Sequence, residues 1–344
     1  MQYNHGEGLS NDGNTCFANA GVQLIACSKV LRDFLREHED GAFRGDVEAE
    51  LALLVRGLQE ARERGIGAHS EHARGHITGS TRSSARSSTA LLKAVREYFP
   101  DEILLQKVGV QFDPGEFVQL LLRAIPGLAR KCVVEVKSAT ENCPACQILT
   151  PELRDANSLH VNIKMFAKNE NTANIIQTAL SRKKKFRCGM CTHRSEAFVK
   201  HSSVLVLEIE RRTSGRRNVN KQNVICSLVI AIDSRWIWKL QGVISFEGED
   251  NSGHCTLYRV DHISNTLQRL SDATSEKDIS LDYLKTGTIV ASVVLYERTA
   301  IEASLVANAF VSVSENPTTD LAMATARPTT TPRRAVHFAS GTLN

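Results

Sequence analysis

Apolar residues recur at helical spacing through the first third of the chain. Phe17, Leu24 and Leu31 share one side of a helix whose N-cap is predicted at Thr15. Similar spacing predicts further helices over residues 46–62, 89–99 and 114–126. The first part of the chain is therefore predicted to be helical.

The helix that begins at Pro114 has the clearest start signal. Asp113 is a favoured N-cap residue, and Pro114 occupies the first helical position. Glu116 stands at N3, where its carboxylate completes a capping box. Phe117 and Leu120 then fall on the face predicted to meet the core.

The pattern changes to strands after residue 132. β-Branched or alternating segments are separated by polar turns, which predicts a series of strands. Helices followed by strands indicate an α+β fold rather than a parallel α/β fold. The predicted strands are residues 132–137, 159–166, 204–209, 224–232, 236–246, 254–260 and 288–296.

Two segments lack such a pattern. Residues 65–88 are rich in Gly, Ser, Arg and His, which predicts a flexible insertion. The segment 301–344 is a C-terminal tail, and beyond about residue 312 it is rich in Thr, Pro, Ala and Ser and is predicted to be disordered.

Composition and charge narrow the class of protein. With 344 residues, 42% of them hydrophobic and 23% charged, the chain resembles a globular protein. The net charge of +4 gives little reason to expect nucleic-acid binding, and no apolar run reaches the length of a membrane span. The N-terminus is polar and unlike a signal peptide, so a cytoplasmic or nuclear location is expected.

Cys16 stands where a turn rich in Gly and Asn meets the first predicted helix. Backbone N–H groups and the helix dipole at such a point favour a thiolate, and they also favour the oxyanion of an acyl-transfer intermediate. The side-chain amide of Asn11 is a further candidate donor to that oxyanion. The alternative is that Cys16 is a small buried apolar residue, as most cysteine thiols are.

Four of the nine cysteines occur as two CxxC pairs, an arrangement that predicts a tetrahedral zinc site. Their separation exceeds that of a compact zinc ribbon and suits two long hairpins that meet at the metal. The alternative is four unrelated thiols. The candidate ligands are Cys143, Cys146, Cys188 and Cys191.

His254 has the best setting for a general base among the eleven histidines. It follows Gly253 at the start of a predicted strand, and a glycine there lets a peptide backbone pass close to the imidazole. The alternative is an exposed histidine at a strand end.

Three of these stretches resemble the ubiquitin-specific proteases. Residues 8–19 resemble the family's cysteine box, Gly-Leu-x-Asn-x-Gly-Asn-Thr-Cys-Tyr/Phe-x-Asn. Residues 111–117 resemble its Gln-Gln-Asp-Ala-x-Glu-Phe stretch, and residues 238–254 resemble its histidine box. The resemblance implies a papain-like α+β fold with a helical thumb (about 1–130), zinc-ribbon fingers (about 131–200) and a β-rich palm (about 201–300).

The resemblance also implies a function and a set of site residues. The expected activity is hydrolysis of the bond after the C-terminal Gly of ubiquitin, with ubiquitin or ubiquitinated proteins as partners and a structural Zn²⁺ in the fingers. Ser271 stands at the family's first acidic position and Asp272 at its second, so the acid's role is assigned to Asp272. The predicted catalytic residues are Cys16, His254, Asp272 and Asn11, and the predicted substrate-binding residues are Asp113, Glu116 and Gly253.

Two departures keep other functions open. Cys255 replaces the family's usual Tyr, and the first acid is missing, so a ubiquitin-binding pseudoenzyme of the same fold is one alternative. A zinc-ribbon protein that binds nucleic acid or another protein is the second alternative.

Overall fold

The computed structural model of the chain describes most of residues 8–300. The chain divides into two compact units, Met1–Ala300 and Ile301–Asn344, of which the second lies outside the described residues. No helix among the described residues has the length and apolar character that crossing a membrane requires. The described residues are 8–37, 45–67, 86–107, 112–132, 134–138, 159–162, 171–181, 184–187, 194–201, 203–211, 222–231, 236–249, 252–286 and 289–300.

Most helices of the described part precede the strands. They are α1 (Cys16–Cys27), α2 (Lys29–Glu37), α3 (Asp46–Gly67), α4 (Thr89–Tyr98), α5 (Ile103–Gln106), α6 (Pro114–Ala124), α7 (Pro126–Cys132), α8 (Thr172–Ser181) and α9 (Asp282–Lys285).

The strands of the described residues form two sheets. Except for β2, which is parallel to β5, all pairs are antiparallel. The large sheet has the order β10-β9-β8-β7-β11-β5-β2 with β6 on β7, and the small sheet has the order β1-β4-β3. The strands are β1 (Val134–Ser138), β2 (Leu159–Asn162), β3 (Lys184–Arg187), β4 (Arg194–His201), β5 (Val204–Glu210), β6 (Val229–Ala231), β7 (Trp236–Glu249), β8 (Ser252–Asp261), β9 (Thr266–Ser271), β10 (Thr274–Ser280) and β11 (Ala291–Ala300).

The large sheet is covered by apolar side chains on both faces. Val204 and Val206 of β5 pack into a core with helices α1 to α7, whereas Leu205 and Leu207 point into a second core with α8 and α9. Successive residues of a strand point to opposite faces of the sheet. A strand that is covered on both faces therefore needs a nearly continuous run of apolar residues. The α+β class expected from the sequence is confirmed.

Helix α1 lies in the first core, between the sheet and α6. It packs against β7 and β8 on one side and α6 on the other. A Cβ at Gly242 of β7 would lie 3.2 Å from Leu24, so the glycine lets the helix approach the sheet closely. Phe17 meets Phe117 edge to face, with ring centroids 5.4 Å apart. These contacts hold α1 between β7 and α6.

The N-cap of α6 is Asp113, as predicted. The carboxylate of Asp113 accepts hydrogen bonds from the backbone N–H groups of Gly115 and Glu116, at 2.8 and 3.3 Å. Pro114 occupies the first turn, as expected.

Other elements differ from the sequence-based expectation. The predicted first helix is two helices, because Ser28 is extended (ψ 124°) between α1 and α2. Helix α8 and strands β3, β4, β9 and β10 were not predicted. Among the described residues 224–231 of the predicted strand 224–232, only Val229–Ala231 forms a strand. Helix α3 continues to Gly67, into the predicted insertion, of which residues 68–85 lie outside the described part.

Candidate active site

Cys16 is the first residue of α1 and is reached through a tight turn. Gly13 (φ 93°) and Asn14 (φ 54°) both adopt left-handed backbone conformations, which Gly and Asn tolerate best. Thr15 is at the N-cap position, but its side chain makes no capping hydrogen bond to the helix. Its hydroxyl instead donates to Oδ1 of Asn11, at 3.2 Å. The first backbone N–H groups of α1 therefore have no capping side chain from Thr15.

Cys16 and His254 are in contact, although the sequence separates them widely. The pKa of Cys16 is lowered to about 5, and the largest cause is a hydrogen bond from the Cys255 thiol. Burial of the sulfur opposes this shift, while His254 lowers the pKa through a hydrogen bond and through its charge. Cys16 is therefore a thiolate at neutral pH.

His254 contacts Ser271 more closely than it contacts Asp272. Its Nε2 lies 2.7 Å from Oγ of Ser271, whereas its Nδ1 lies 3.9 Å from Oδ2 of Asp272. The pKa of His254 is raised, first by the hydrogen bond with Cys16 and then by the charges of Asp272 and Cys16. The imidazole is thus held by a neutral hydroxyl, with a carboxylate at longer range.

Asp272 binds the segment that leads into α1 and the first turns of that helix. Its Oδ2 accepts a hydrogen bond from Nδ2 of Asn11 at 2.9 Å, and its Oδ1 accepts one from Nδ2 of Asn19 at 2.8 Å. Its backbone oxygen accepts from the N–H of Leu9 at 3.1 Å and from Nε2 of Gln23 at 3.3 Å. Asp272 has a left-handed backbone (φ 49°), and its side chain is only 13% exposed. The residue links the turn after β9 to α1.

The side chain of Asn11 is held at both ends of its amide. Oδ1 accepts hydrogen bonds from the backbone N–H groups of Gly13 and Thr15, at 3.2 and 3.1 Å. Nδ2 donates one hydrogen to Asp272. An amide carries two such hydrogens, so this geometry is compatible with a second donation toward substrate.

Gly253 serves the packing of the strand pair β7–β8. It lies opposite Gly248, and a Cβ at Gly253 would come within 2.7 Å of the Phe246 ring. The absence of a side chain at Gly253 therefore makes room for Phe246. The sequence suggested a different reason for this glycine, namely that a peptide backbone passes close to His254.

An acidic cavity of about 510 Å³ lies beside the start of α6. Its charged lining consists of Asp101, Glu102, Glu116 and Glu208, together with Arg123, which is 3.2 Å from Glu102. Of the two predicted carboxylates, Glu116 lines this cavity, while Asp113 is used as the helix cap.

The cavity is connected to the start of α1 by aromatic packing. Phe112 lines the cavity, and its ring centroid lies 5.8 Å from that of Phe17, the residue after Cys16. A chain bound in the cavity is therefore close to the start of α1.

The four predicted zinc ligands, Cys143, Cys146, Cys188 and Cys191, lie outside the described residues. Within the part of the chain that the structure describes, no group of three or more His, Cys, Asp or Glu side chains is arranged to hold a metal ion. The zinc site stays a prediction.

Sequence reasoning missed three contributions to this site. Cys255 was identified only as a lost Tyr, yet it contacts the Cys16 sulfur. Ser271, which the sequence left as the alternative to Asp272 in the third catalytic position, contacts His254. Glu208 of β5 was missed because its position beside α6 depends on the tertiary fold. Asn19 was also missed as a site residue. It is part of the cysteine box, so that motif was the sequence signal that could have identified it.

Residues 7–282 match the family model described as ubiquitin carboxyl-terminal hydrolase. The chain belongs to this family. It is a deubiquitinating cysteine protease, and the placement of Cys16 beside His254 agrees with that chemistry. A comparison with curated protein sequences returns no match.

Solved structures share the fold at low sequence identity. One is the SAGA DUB module Ubp8/Sgf11/Sus1/Sgf73 bound to monoubiquitin, with a TM-score of 0.59 at 16% identity. Another is the same module bound to ubiquitin aldehyde, with a TM-score of 0.57 at 16% identity. A yeast SAGA DUBm structure with an Sgf73 mutant has a TM-score of 0.54 at 15% identity. Each match covers 88% of this chain and 72% of the other chain.

The shifted pKa values predict how the reactivity of Cys16 depends on pH. The rate of Cys16 alkylation by iodoacetamide should reach half its plateau near pH 5, where the thiolate forms, instead of near the ordinary value of about 8.5. The thiolate–imidazolium pair should persist from about pH 5 to above 6.5, because the pKa of His254 is raised from 6.5. The Cys16→Ala variant supplies the background from other thiols.

Replacement His254→Ala should move this midpoint upward, because it removes a hydrogen bond and a positive charge from the thiolate. A midpoint near the ordinary thiol value in the parent protein would show that the pair does not form.

The contacts of His254 predict different effects for Ser271 and Asp272. Loss of one hydrogen bond to a charged group costs about 1.5–3 kcal/mol, so Ser271→Ala should lower kcat for a fluorogenic ubiquitin C-terminal amide about 10- to 100-fold. KM should change little, and Ser271→Thr, which retains a hydroxyl, should recover most of the loss. An unchanged kcat in Ser271→Ala would show that Ser271 has no role in orienting His254.

Asp272→Asn should mainly reduce stability, because one carboxylate oxygen would become an NH₂ group that faces the amide donor of either Asn11 or Asn19. A buried hydrogen-bonding group left without its partner costs about 1–3 kcal/mol, which a urea unfolding curve resolves.

Proposed function

We propose that the chain hydrolyses the (iso)peptide bond after the C-terminal Gly of ubiquitin, with Cys16 as nucleophile and His254 as general acid and base. The observation that carries this proposal is the contact between the Cys16 sulfur and His254 at the start of α1. Ubiquitin and ubiquitinated proteins are the proposed partners, in the cytoplasm or the nucleus. The ubiquitin-bound state of two of the similar solved structures supports this choice of partner.

The chemistry follows from the charges of the resting pair. The Cys16 thiolate attacks the carbonyl carbon of the terminal Gly, and the oxygen becomes an oxyanion. Backbone N–H groups at the start of α1 and the amide of Asn11 stabilise that oxyanion. The His254 imidazolium then protonates the leaving amine, and a water deprotonated by the imidazole releases the acyl group.

Ser271 is proposed as the residue that orients His254, in place of the acid assigned from the sequence. The separation of 2.7 Å between Nε2 and the hydroxyl supports this assignment. Asp272 is proposed as a positioning residue for Asn11 and as a more distant negative charge for the imidazolium.

The acidic cavity is proposed to hold the basic residues of the ubiquitin tail. Its lining includes the Phe112 ring, which packs on Phe17 next to Cys16. Four carboxylates also line it: Asp101, Glu102, Glu116 and Glu208. A Cβ at Gly115 would lie 2.8 Å from the Glu208 side chain, so the glycine allows Glu208 to lie directly against α6. The cavity thus concentrates negative charge beside the path to the nucleophile.

A structural zinc is proposed in the fingers, bound by Cys143, Cys146, Cys188 and Cys191. Strand β3 pairs with β4 up to Arg187 and Arg194, so the segment with Cys188 and Cys191 connects the two strands. Strand β1 ends at Ser138, opposite Ala197 near the start of β4. The chain therefore leaves for both CxxC pairs from the same end of the small sheet, and four thiolates suit Zn²⁺. The metal would stabilise the fold and take no part in the hydrolysis.

A ubiquitin probe with a C-terminal electrophile tests the proposed function. The parent protein should be labelled covalently, and Cys16→Ala should not be labelled, because it lacks the sulfur. Cys27→Ser, altered at the other end of α1, should be labelled like the parent. Tight ubiquitin binding without labelling would indicate a pseudoenzyme, and salt-sensitive binding of RNA or DNA with no affinity for ubiquitin would indicate the interaction module.

The same probe tests the acidic cavity. Glu208→Gln should lower the second-order rate of labelling severalfold while the alkylation of Cys16 by iodoacetamide stays the same, because only the probe carries the basic tail. Equal effects on both reactions would show that Glu208 only supports the packing of α6 and does not bind the ubiquitin tail.

The zinc proposal predicts the metal content of the purified protein. The parent should contain about one zinc per chain, and Cys188→Ser should lose it and be less stable, because binding of a structural zinc contributes directly to folding. Cys132→Ala, at a buried thiol of α7, should retain the metal. Elemental analysis that finds no zinc in the parent would exclude the site.

A further inference from the structure

The active site contains a second thiol, Cys255, directly beside the nucleophile. Cys255 follows His254 in β8, the strand against which α1 packs. Both its thiol and its backbone N–H group donate hydrogen bonds to the Cys16 sulfur. Cys16 and Cys255 are 3% and 1% exposed, respectively. The two side chains are thus adjacent and are enclosed by the same core.

The other thiols of the described part have different surroundings. Burial raises the pKa values of Cys132 and Cys226 to about 12 and also raises that of Cys27, so these three are protonated. Cys16 is a thiolate at neutral pH, and peroxides oxidise the thiolate form of cysteine. Among the described cysteines, the reactive sulfur is therefore the one that touches a second thiol.

We propose that Cys16 and Cys255 form an oxidation site that takes a hydroperoxide and closes as a disulfide between the two residues. The site requires neither ubiquitin nor turnover. The test of this oxidation site is therefore independent of the test of the proposed function.

In the first step the Cys16 thiolate attacks the peroxide, and the O–O bond breaks. Cys16 becomes a sulfenic acid, and the His254 imidazolium supplies the proton that turns the departing oxygen into water or an alcohol. The peroxide is reduced by two electrons, which come from the sulfur.

In the second step the thiol of Cys255 passes its proton to the neutral His254 imidazole and attacks the Cys16 sulfur. The S–S bond forms as the S–O bond breaks, and the departing hydroxide takes the same proton and leaves as water. The two sulfurs need to move from hydrogen-bond contact to a bond length of about 2.05 Å.

Closure of the disulfide has two consequences. The nucleophile is unable to attack a carbonyl, so the hydrolase is inactive. Cys16 is also protected from the irreversible sulfinic and sulfonic acids, because its sulfenic form is consumed first. Two equivalents of a small thiol regenerate both cysteines by exchange.

Peptide mapping of the full chain tests the proposal. The reduced protein is treated with a small excess of hydrogen peroxide, its remaining thiols are blocked with N-ethylmaleimide, and it is digested without reduction. A peptide pair linking Cys16 and Cys255 is expected, lighter by two hydrogen atoms than the separate peptides. Recovery of Cys16 as sulfinic acid with Cys255 blocked by the maleimide, or linkage of Cys16 to a different cysteine, would overturn the proposal.

A variant tests the protective role separately. After peroxide and then dithiothreitol, the parent should regain nearly all its Cys16 alkylation by iodoacetamide. Cys255→Ser, compared with its own untreated sample, should regain at least about fivefold less, because its sulfenic acid oxidises further. Cys27→Ser should behave like the parent. Equal recovery in Cys255→Ser and the parent would contradict the role of Cys255.

Discussion

The arrangement of the active site depends on the hydrogen bonds that converge on Asp272. Its carboxylate holds Asn11 and Asn19, and its backbone oxygen holds Leu9 and Gln23. Two of these bonds have an ionised acceptor and are therefore stronger than neutral ones. Asp272 directly follows Ser271, which contacts His254. One turn of the chain therefore holds both His254 and the start of α1 with Cys16. A Cβ at Gly8 would overlap the Asp272 oxygen, which explains a glycine at the start of this segment.

The electrostatics of the site are distributed differently from those of a triad with a carboxylate as third member. The side chain that lies 2.7 Å from Nε2 of His254 is a neutral hydroxyl, so it orients the ring and adds little charge. The shift in the pKa of Cys16 comes first from Cys255. The Cys255 thiol therefore supplies part of the stabilisation of the Cys16 thiolate. In a triad with a carboxylate, an imidazolium paired with that carboxylate would supply it.

Local motifs were sufficient to identify Cys16 and His254 as candidates and to locate the cap of α6. They could not distinguish Ser271 from Asp272, because the direction of each side chain depends on a turn in which Asp272 has φ 49°. The division between α1 and α2 was also hidden, since the hydroxyl of Ser28 donates to Glu297 of β11, at 2.6 Å. The same hydroxyl accepts from the N–H of Leu31 and begins α2. Because Glu297 is so distant from Ser28 in the sequence, the spacing of apolar residues around Ser28 does not reveal this contact.

The hydroxyl beside His254 has a property that a carboxylate lacks. A serine hydroxyl can rotate and serve as acceptor or donor, whereas an ionised carboxylate only accepts. Ser271 can therefore accept a hydrogen from Nε2 when that nitrogen is protonated and donate one when the other tautomer is present. The ring therefore keeps a hydrogen bond to Ser271 through both halves of the proposed cycle, whichever nitrogen carries the proton, and Ser271 itself stays uncharged throughout.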